Sequence, residues 1–249
     1  MIRTTALAAS FVALTAGGAA AFDPSDMSAS EKEAFGAAVR EYLLENPRVL
    51  MEAVAVLEQR EAEERARAEV ALISELSEEI FEDDFSFIGG NPDGDVVMVE
   101  FIDYRCSYCR KAHPEIARLL EADGRIKKII KEFPILGEES VEASRFAISV
   151  LQIDGPEAYE DINNTLIAHR GTFTRDTLER IAEDKGLSAL KIMRRMDSEE
   201  VSAVIRANHE LAQKLEINGT PGFVFKDRMV RGYLPLPQMM ATVMEVRTQ

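Results

Sequence analysis

Apolar positions recur at helical spacing from residue 30 onward, become an unbroken run at Val96–Ile102, return to helical spacing, and close in a hairpin pattern. In the first stretch Phe35, Val39, Tyr42 and Leu43 share one face of a helix. Ser30 and Glu33 stand at capping-box spacing before it. Asn46 is placed to cap a second helix beginning at Pro47, whose missing N–H costs nothing in a first turn, and Leu50, Val54 and Leu57 continue the stripe. From Glu58 to Glu69, eight of twelve residues are charged and none is large and apolar. Glu61–Arg65 and Glu63–Arg67 are i,i+4 pairs in the favourable order, so this segment reads as a solvated helix face or a connecting rod. Helical packing resumes at Leu72, Ile73, Leu76 and Ile80.

Gly89–Gly94 has the chemistry of a loop. Val96–Ile102 is then a strand of nearly continuous apolar character, as expected for a central strand buried on both faces. Ser107 to Gly124 reads as a helix ended by its glycine, and Arg125–Phe133 as a second strand. From Glu138 to about Leu215 the pattern is helical, broken at "DGPEA", "HRGTFT" and "DKGLS", with Thr174 capping one helix. "GTPGFVFKDRMVRGYL" returns to strand with "KDR" as its turn, and Pro235 and Pro237 lead into a final helix. The order is that of an α/β fold. The apolar face from Phe35 to Leu57 belongs to two short helices that cannot form a core alone, so it predicts burial against copies of itself in preference to folding back.

The 249 residues are 46% hydrophobic, enough for a real core, and a net charge of −15 disfavours nucleic acid and anionic membrane surfaces as partners. At the amino end, Arg3 precedes an apolar stretch, Ala6–Ala16, too short to span a bilayer, and Ala19–Ala21 offer a cleavage site. Residues 1–21 read as a secretory signal peptide; removing its one arginine takes the charge from −15 to −16. The mature chain is then expected in an oxidising compartment.

Two cysteines, Cys106 and Cys109, lie where the central strand gives way to a helix. As a staple they would close a tiny loop and remove little chain entropy. A structural zinc needs four ligands, and His169 and His209 fall among ordinary helix positions, leaving only His113 close in sequence. Two thiolates could still hold Cu(I). The remaining use is thiol–disulfide exchange. Cys106 at the amino end of a helix, with Arg105, Arg110 and Lys111 nearby, is placed to be a stabilised thiolate, and Cys109, one turn inside, to resolve the intermediate. Glu100 in a buried strand needs a reason, and taking and returning the proton of Cys109 supplies one.

"CSYC" after an apolar strand, Glu100 six residues before Cys106, Pro114 eight after it, and "NGTPGFVF" downstream together resemble the thioredoxin-like disulfide oxidoreductases of the bacterial periplasm. The resemblance implies a thioredoxin fold over residues 85–249, with an inserted helical domain of the DsbA type at about 138–216. A cis-proline at Pro221 would face the cysteines. Thr220 would offer its backbone to a client, and Tyr108, Gly219, Thr220 and Pro221 would line the substrate groove. "REYLLENPRVLMEAVAVLEQ" is similar to the amino-terminal segment of the copper-sensitivity suppressor (ScsC) branch. That likeness implies an oligomerisation segment at 22–57, acting through residues 30–57 and trimeric by preference, and a charged helical linker at 58–84. The family needs no cofactor. Its members act on disulfide-containing or misfolded periplasmic proteins and exchange electrons with a membrane-bound partner. Ser107–Tyr108 stands where strongly oxidising members have Pro–His, which favours isomerase or reductase over a DsbA-like oxidase. A Cu(I)-binding copper-tolerance protein is the reading from another class.

Overall fold

The computed structural model describes residues 27–248; the expected signal peptide lies outside them. The chain divides into two units at Glu61/Ala62.

The first unit holds helix α1 (Ala29–Glu45) and the start of α2 (Arg48–Glu75). The capping box is Ser28 with Glu31, two residues earlier than the spacing of Ser30 and Glu33 suggests: Glu31 N–H donates to Ser28 Oγ, and Ser28 N–H donates to Glu31. Asn46 does not cap α2. It closes α1, its side-chain amide donating to Tyr42 O at 2.9 Å. No residue of α1 is buried, and Val39, Tyr42, Leu50, Val54 and Leu57 all present apolar surface.

The second unit is built on a five-stranded sheet in the order β1-β3-β2-β4-β5. Its strands are β1 (Phe87–Gly90), β2 (Val96–Ile102), β3 (Ile126–Glu132), β4 (Gly222–Phe225) and β5 (Arg228–Arg231). β2 is central as expected, parallel to β3 and antiparallel to β4. β1 corrects the reading of Gly89–Gly94 as loop throughout. Gly89 and Gly90 pair with Lys128 and Lys127, and the loop proper begins at Asn91.

One sheet face carries Val99, Phe101, Ile129 and Val224, which pack with Ile73, Leu76, Ile80, Leu211 and Leu215. These belong to the end of α2, to α3 (Ser77–Phe81), and to α9 (Glu199–Lys214) with Leu215 just beyond it. The charged stretch of α2 is not wholly solvated, because Glu69 accepts from Met229 N and pairs with Arg231, both at 2.9 Å.

On the opposite face, Met98, Phe223 and Phe225 pack under α4 (Ser107–Asp123) and α10 (Leu236–Thr248). Ile102 and Ile130 pack against the helical insertion. The insertion comprises α5 (Glu138–Asp154), α6 (Pro156–Ala168), α7 (Arg175–Asp184), α8 (Ala189–Met196) and α9, with a break at Asp197–Ser198 that the apolar pattern does not show. Ser198 there caps α9, accepting from Val201 N.

Candidate active site

β2 runs through the middle of the sheet and delivers Cys106 to the N-cap of α4. Cys106 Sγ accepts from Cys109 N–H at 3.5 Å, and as a thiol it donates to Thr220 O at 3.1 Å. Thr220 precedes Pro221 in a cis peptide bond, so the loop before β4 faces the cysteines as the resemblance implies. Both cysteines are free thiols. Cys106 is less open than a surface nucleophile: it is 6% exposed and Cys109 1%, because the Thr220 loop lies against it. Gly219 beside that loop is exposed, and Tyr108 is 58% exposed.

The two sulfurs have opposite acidities. A hydrogen bond with the Cys109 side chain, reinforced by Thr220 and by the N–H groups of Cys109 and Tyr108, pulls Cys106 down to about 5 against the effect of burial. Cys109 is pushed far up, first by that same bond to Cys106, then by burial and by the charge of Glu100. The flanking cations are not the main cause of the acidity of Cys106. Arg105 pairs with Glu139 at 3.0 Å, Arg110 donates to Tyr104 O at 3.0 Å, and Lys111 lies 4.2 Å over the Tyr233 ring. The rate of Cys106 alkylation should therefore be half-maximal near pH 5 and level from about pH 6 to neutrality, whereas an unperturbed thiol reaches half only near pH 8.5. A midpoint above pH 7 in an iodoacetamide titration would contradict this assignment.

Glu100 is buried and forms an ion pair with Lys128 Nζ at 3.0 Å, a partner that sequence reasoning did not name. Lys128 also lines a 70 Å³ cavity between α4 and α6 with His113 and Asn164, whose side chains are hydrogen bonded at 2.8 Å. Two further buried acids hold the loop that carries Cys106. Asp103 accepts from Arg105 N, Ile135 N, Leu136 N and Ser140 Oγ, all within 3.0 Å, while Cys106 N donates to Asp103 O. Glu132 accepts from Tyr104, Tyr159 and Ser144 hydroxyls at 2.6–2.7 Å. Burial, opposed by those hydroxyls, raises Glu132 to about 7. The signal for Lys128 and Glu132 was present: charges interspersed with isoleucines in a strand beside one that is apolar but for Glu100. Asp103 gave none, since an aspartate after a strand is ordinary turn chemistry.

Among the described residues no group of three or more His, Cys, Asp or Glu could hold a metal ion, and His113, His169 and His209 do not converge on the cysteines. His209 packs on Phe133 and His169 on Phe173.

Residues 82–244 match the family model described as thioredoxin, and residues 31–64 match the copper resistance protein ScsC N-terminal domain. A thioredoxin-like oxidoreductase from Silicibacter pomeroyi is 38% identical with a TM-score of 0.65, covering 69% of this chain and 98% of that one. The thiol–disulfide exchange protein alpha-DsbA2 from Wolbachia pipientis is 27% identical, TM-score 0.68, over 73% of this chain and 97% of that one. Proteus mirabilis ScsC in a transitional conformation is 27% identical, TM-score 0.65, over 91% of this chain and 99% of that one. Among curated proteins, the Na(+)/H(+) antiporter NhaA 3 of Salinispora tropica is 22% identical over 166 residues, 65% of this chain. The chain spans about a quarter (24%) of that relative's length, and no helix among its described residues is long and apolar enough to cross a membrane. A central strand that ends in a C-x-x-C helix, a cis-proline loop facing it, and a family model spanning most of the chain agree: the chain belongs to the thioredoxin family, and DsbA-like and ScsC proteins share its fold.

Proposed function

We propose that this chain is a periplasmic protein thiol–disulfide oxidoreductase that works chiefly as an isomerase or reductase on disulfide-containing or misfolded proteins. The observation that carries the exchange reading is Cys106 at the N-cap of α4 against the cis-Pro221 loop, with Cys109 buried one turn inside; the opposite acidities of the pair agree with it. Cys106 thiolate attacks one sulfur of a client disulfide, the client S–S bond breaks, and the other client sulfur leaves as a thiolate. Cys109 then gives up its proton and attacks Cys106 Sγ, which releases the second client thiol and leaves Cys106–Cys109 oxidised. In isomerisation a different client thiolate attacks the client sulfur bound to Cys106 instead, a new client disulfide forms as the mixed disulfide breaks, Cys106 leaves as thiolate, and no net electrons move. Glu100, charge-paired with Lys128, is proposed as the group that takes the proton of Cys109, and Tyr108, Gly219, Thr220 and Pro221 as the substrate groove.

Magnitudes say what the acidity of Cys106 is for. Lowering a thiol from about 8.5 to about 5 raises its thiolate fraction at pH 7 about thirtyfold, but costs intrinsic nucleophilicity by a similar factor. Attack is therefore hardly accelerated. The gain is in departure, because an acidic Cys106 leaves a mixed disulfide readily. A value near 5 lies between thioredoxin at about 7 and DsbA at about 3.5, so a reduction potential between about −270 and about −120 mV is expected. Such a protein needs no prosthetic group. It needs a membrane-bound donor to keep it reduced.

The ScsC-like segment supports an oligomer, trimeric by preference, in which residues 30–57 cover their apolar stripe against copies and residues 58–84 serve as linker. Several sites then surround one client, which suits shuffling. Refolding of scrambled ribonuclease by the mature chain, with a light-scattering mass three times the chain mass, is the expected result. Oxidation of reduced ribonuclease without rescue of the scrambled form would install the DsbA-like oxidase in its place. The match to a copper resistance segment keeps one other reading, a Cu(I) site at Cys106 and Cys109. Tight Cu(I) binding with no exchange activity on either ribonuclease form would establish that one and refute ours.

A further inference from the structure

The protein is strongly acidic, yet the surroundings of Cys106 are cationic. Arg105 precedes Cys106 and Arg110 follows Cys109. A third guanidinium comes from the insertion. Arg170 lies in the loop between α6 and α7, and that loop is fastened beside the redox loop in two ways. Phe173 packs edge-on against Tyr104, ring centroids 6.5 Å apart. Phe173 N–H also donates, at 3.1 Å, to Glu139 Oε2, the same oxygen that pairs with Arg105 at 3.0 Å.

Glu139 thus answers Arg105, and Asp103 is engaged by backbone N–H groups and Ser140. The other two have no ion-pair carboxylate among the described residues, although the charges of Cys106 and Asp103 act on Arg110. Arg110 bonds only a carbonyl, that of Tyr104, and its buried Nε has no partner. Arg170 is exposed and has no carboxylate partner among the described residues. Burial first, then the charges of Arg170 and Arg105, hold the Arg110 guanidinium below its usual acidity range, against the opposing charges of Cys106 and Asp103. In a chain with 44 acids against 29 lysines and arginines, guanidinium groups without an ion-pair partner beside the redox loop suit an anionic counterpart.

We propose that Arg170, with Arg110 behind it, selects clients whose exchanged cysteine lies beside aspartate or glutamate. This inference rests on the thiol–disulfide exchange reading above and adds a substrate preference to it. The acidic client side chain would dock on the insertion side of Cys106 and would act mainly on encounter and orientation.

Small disulfides test it on the whole reduced protein. Dithiodipropionate carries two carboxylates, cystamine two ammonium groups, and hydroxyethyl disulfide neither. In each reaction Cys106 thiolate breaks the probe S–S bond, Cys109 completes the exchange, and the protein is oxidised as the probe is reduced to two thiols. At low salt the anionic probe should react about three to ten times faster than the cationic one. Raising salt to 1 M, where screening acts within about 3 Å, should bring the two together. Arg170→Glu should reverse the order while leaving the neutral probe's rate unchanged. A peptide disulfide flanked by glutamate should follow dithiodipropionate, and one flanked by lysine should follow cystamine. An anionic-to-cationic ratio near one in wild type, or a ratio that Arg170→Glu does not move, overturns the proposal. Failure of all three probes to react would instead strike the exchange reading itself, so the two cannot be confused.

Discussion

Cys106→Ser is expected to reduce scrambled-ribonuclease refolding and insulin reduction to the buffer background, whereas Cys109→Ser should accumulate a covalent complex with the client. The asymmetry follows from the geometry. Cys106 occupies the N-cap of α4, where its sulfur accepts from Cys109 N–H and meets the Thr220 carbonyl at the groove. Its acidity makes it a thiolate at neutral pH. Cys109, one turn into the helix and 1% exposed, is held as a thiol and cannot meet an external disulfide. Serine at 106 removes the attacking group and leaves no substitute. Serine at 109 leaves attack intact and removes resolution, so the mixed disulfide persists and runs as a heavier band on a non-reducing gel. An adduct formed by Cys106→Ser through Cys109 would reverse the assigned roles.

Much of this was legible along the chain, and the reason is locality. β2, α4 and β3 announce themselves by period within windows of seven to eighteen residues, and Cys106, Glu100 and Pro114 lie inside one such window. β1 was not legible, because four residues ending in two glycines carry turn chemistry and become strand only through pairing with β3. The acidity of Cys106 was legible in part: Cys109 and the N–H groups of the helix terminus act within the window, the adjacent cations contribute little, and the Thr220 side chain acts from 114 residues away. Lys128, Asp103 and Glu132 are likewise defined by non-local partners: Asp103 meets Ile135, and Glu132 meets Tyr104 and Tyr159. The cap positions moved because Ser28 and Ser30 precede Glu31 and Glu33 at the same spacing, so the pattern alone does not choose between them.

Glu100→Leu should destabilise the reduced protein by about 3–5 kcal/mol, seen as a lower urea midpoint, because it strands the Lys128 ammonium with its side chain only 8% exposed. Lys128→Met should cost a similar amount by stranding the carboxylate. The double variant removes both charges, and replacing a buried ion pair with apolar groups is commonly neutral or stabilising by about 1–4 kcal/mol. Its midpoint should return to the wild-type value or above. Stability and chemistry then come apart. If Glu100 takes the proton of Cys109, the double variant is well folded yet resolves a mixed disulfide about a hundredfold more slowly, the usual worth of a positioned base. Its pH dependence should change as well. Without a base, Cys109 must ionise unaided from a value burial has raised, so the logarithm of the resolution rate climbs with unit slope through neutrality. With Glu100 in place the profile is flatter. A double variant that regains stability and resolves as fast as wild type would leave Glu100 and Lys128 a structural pair. The proton of Cys109 would then have to leave by another route, for which the 70 Å³ cavity that Lys128 lines with His113 and Asn164 is a candidate.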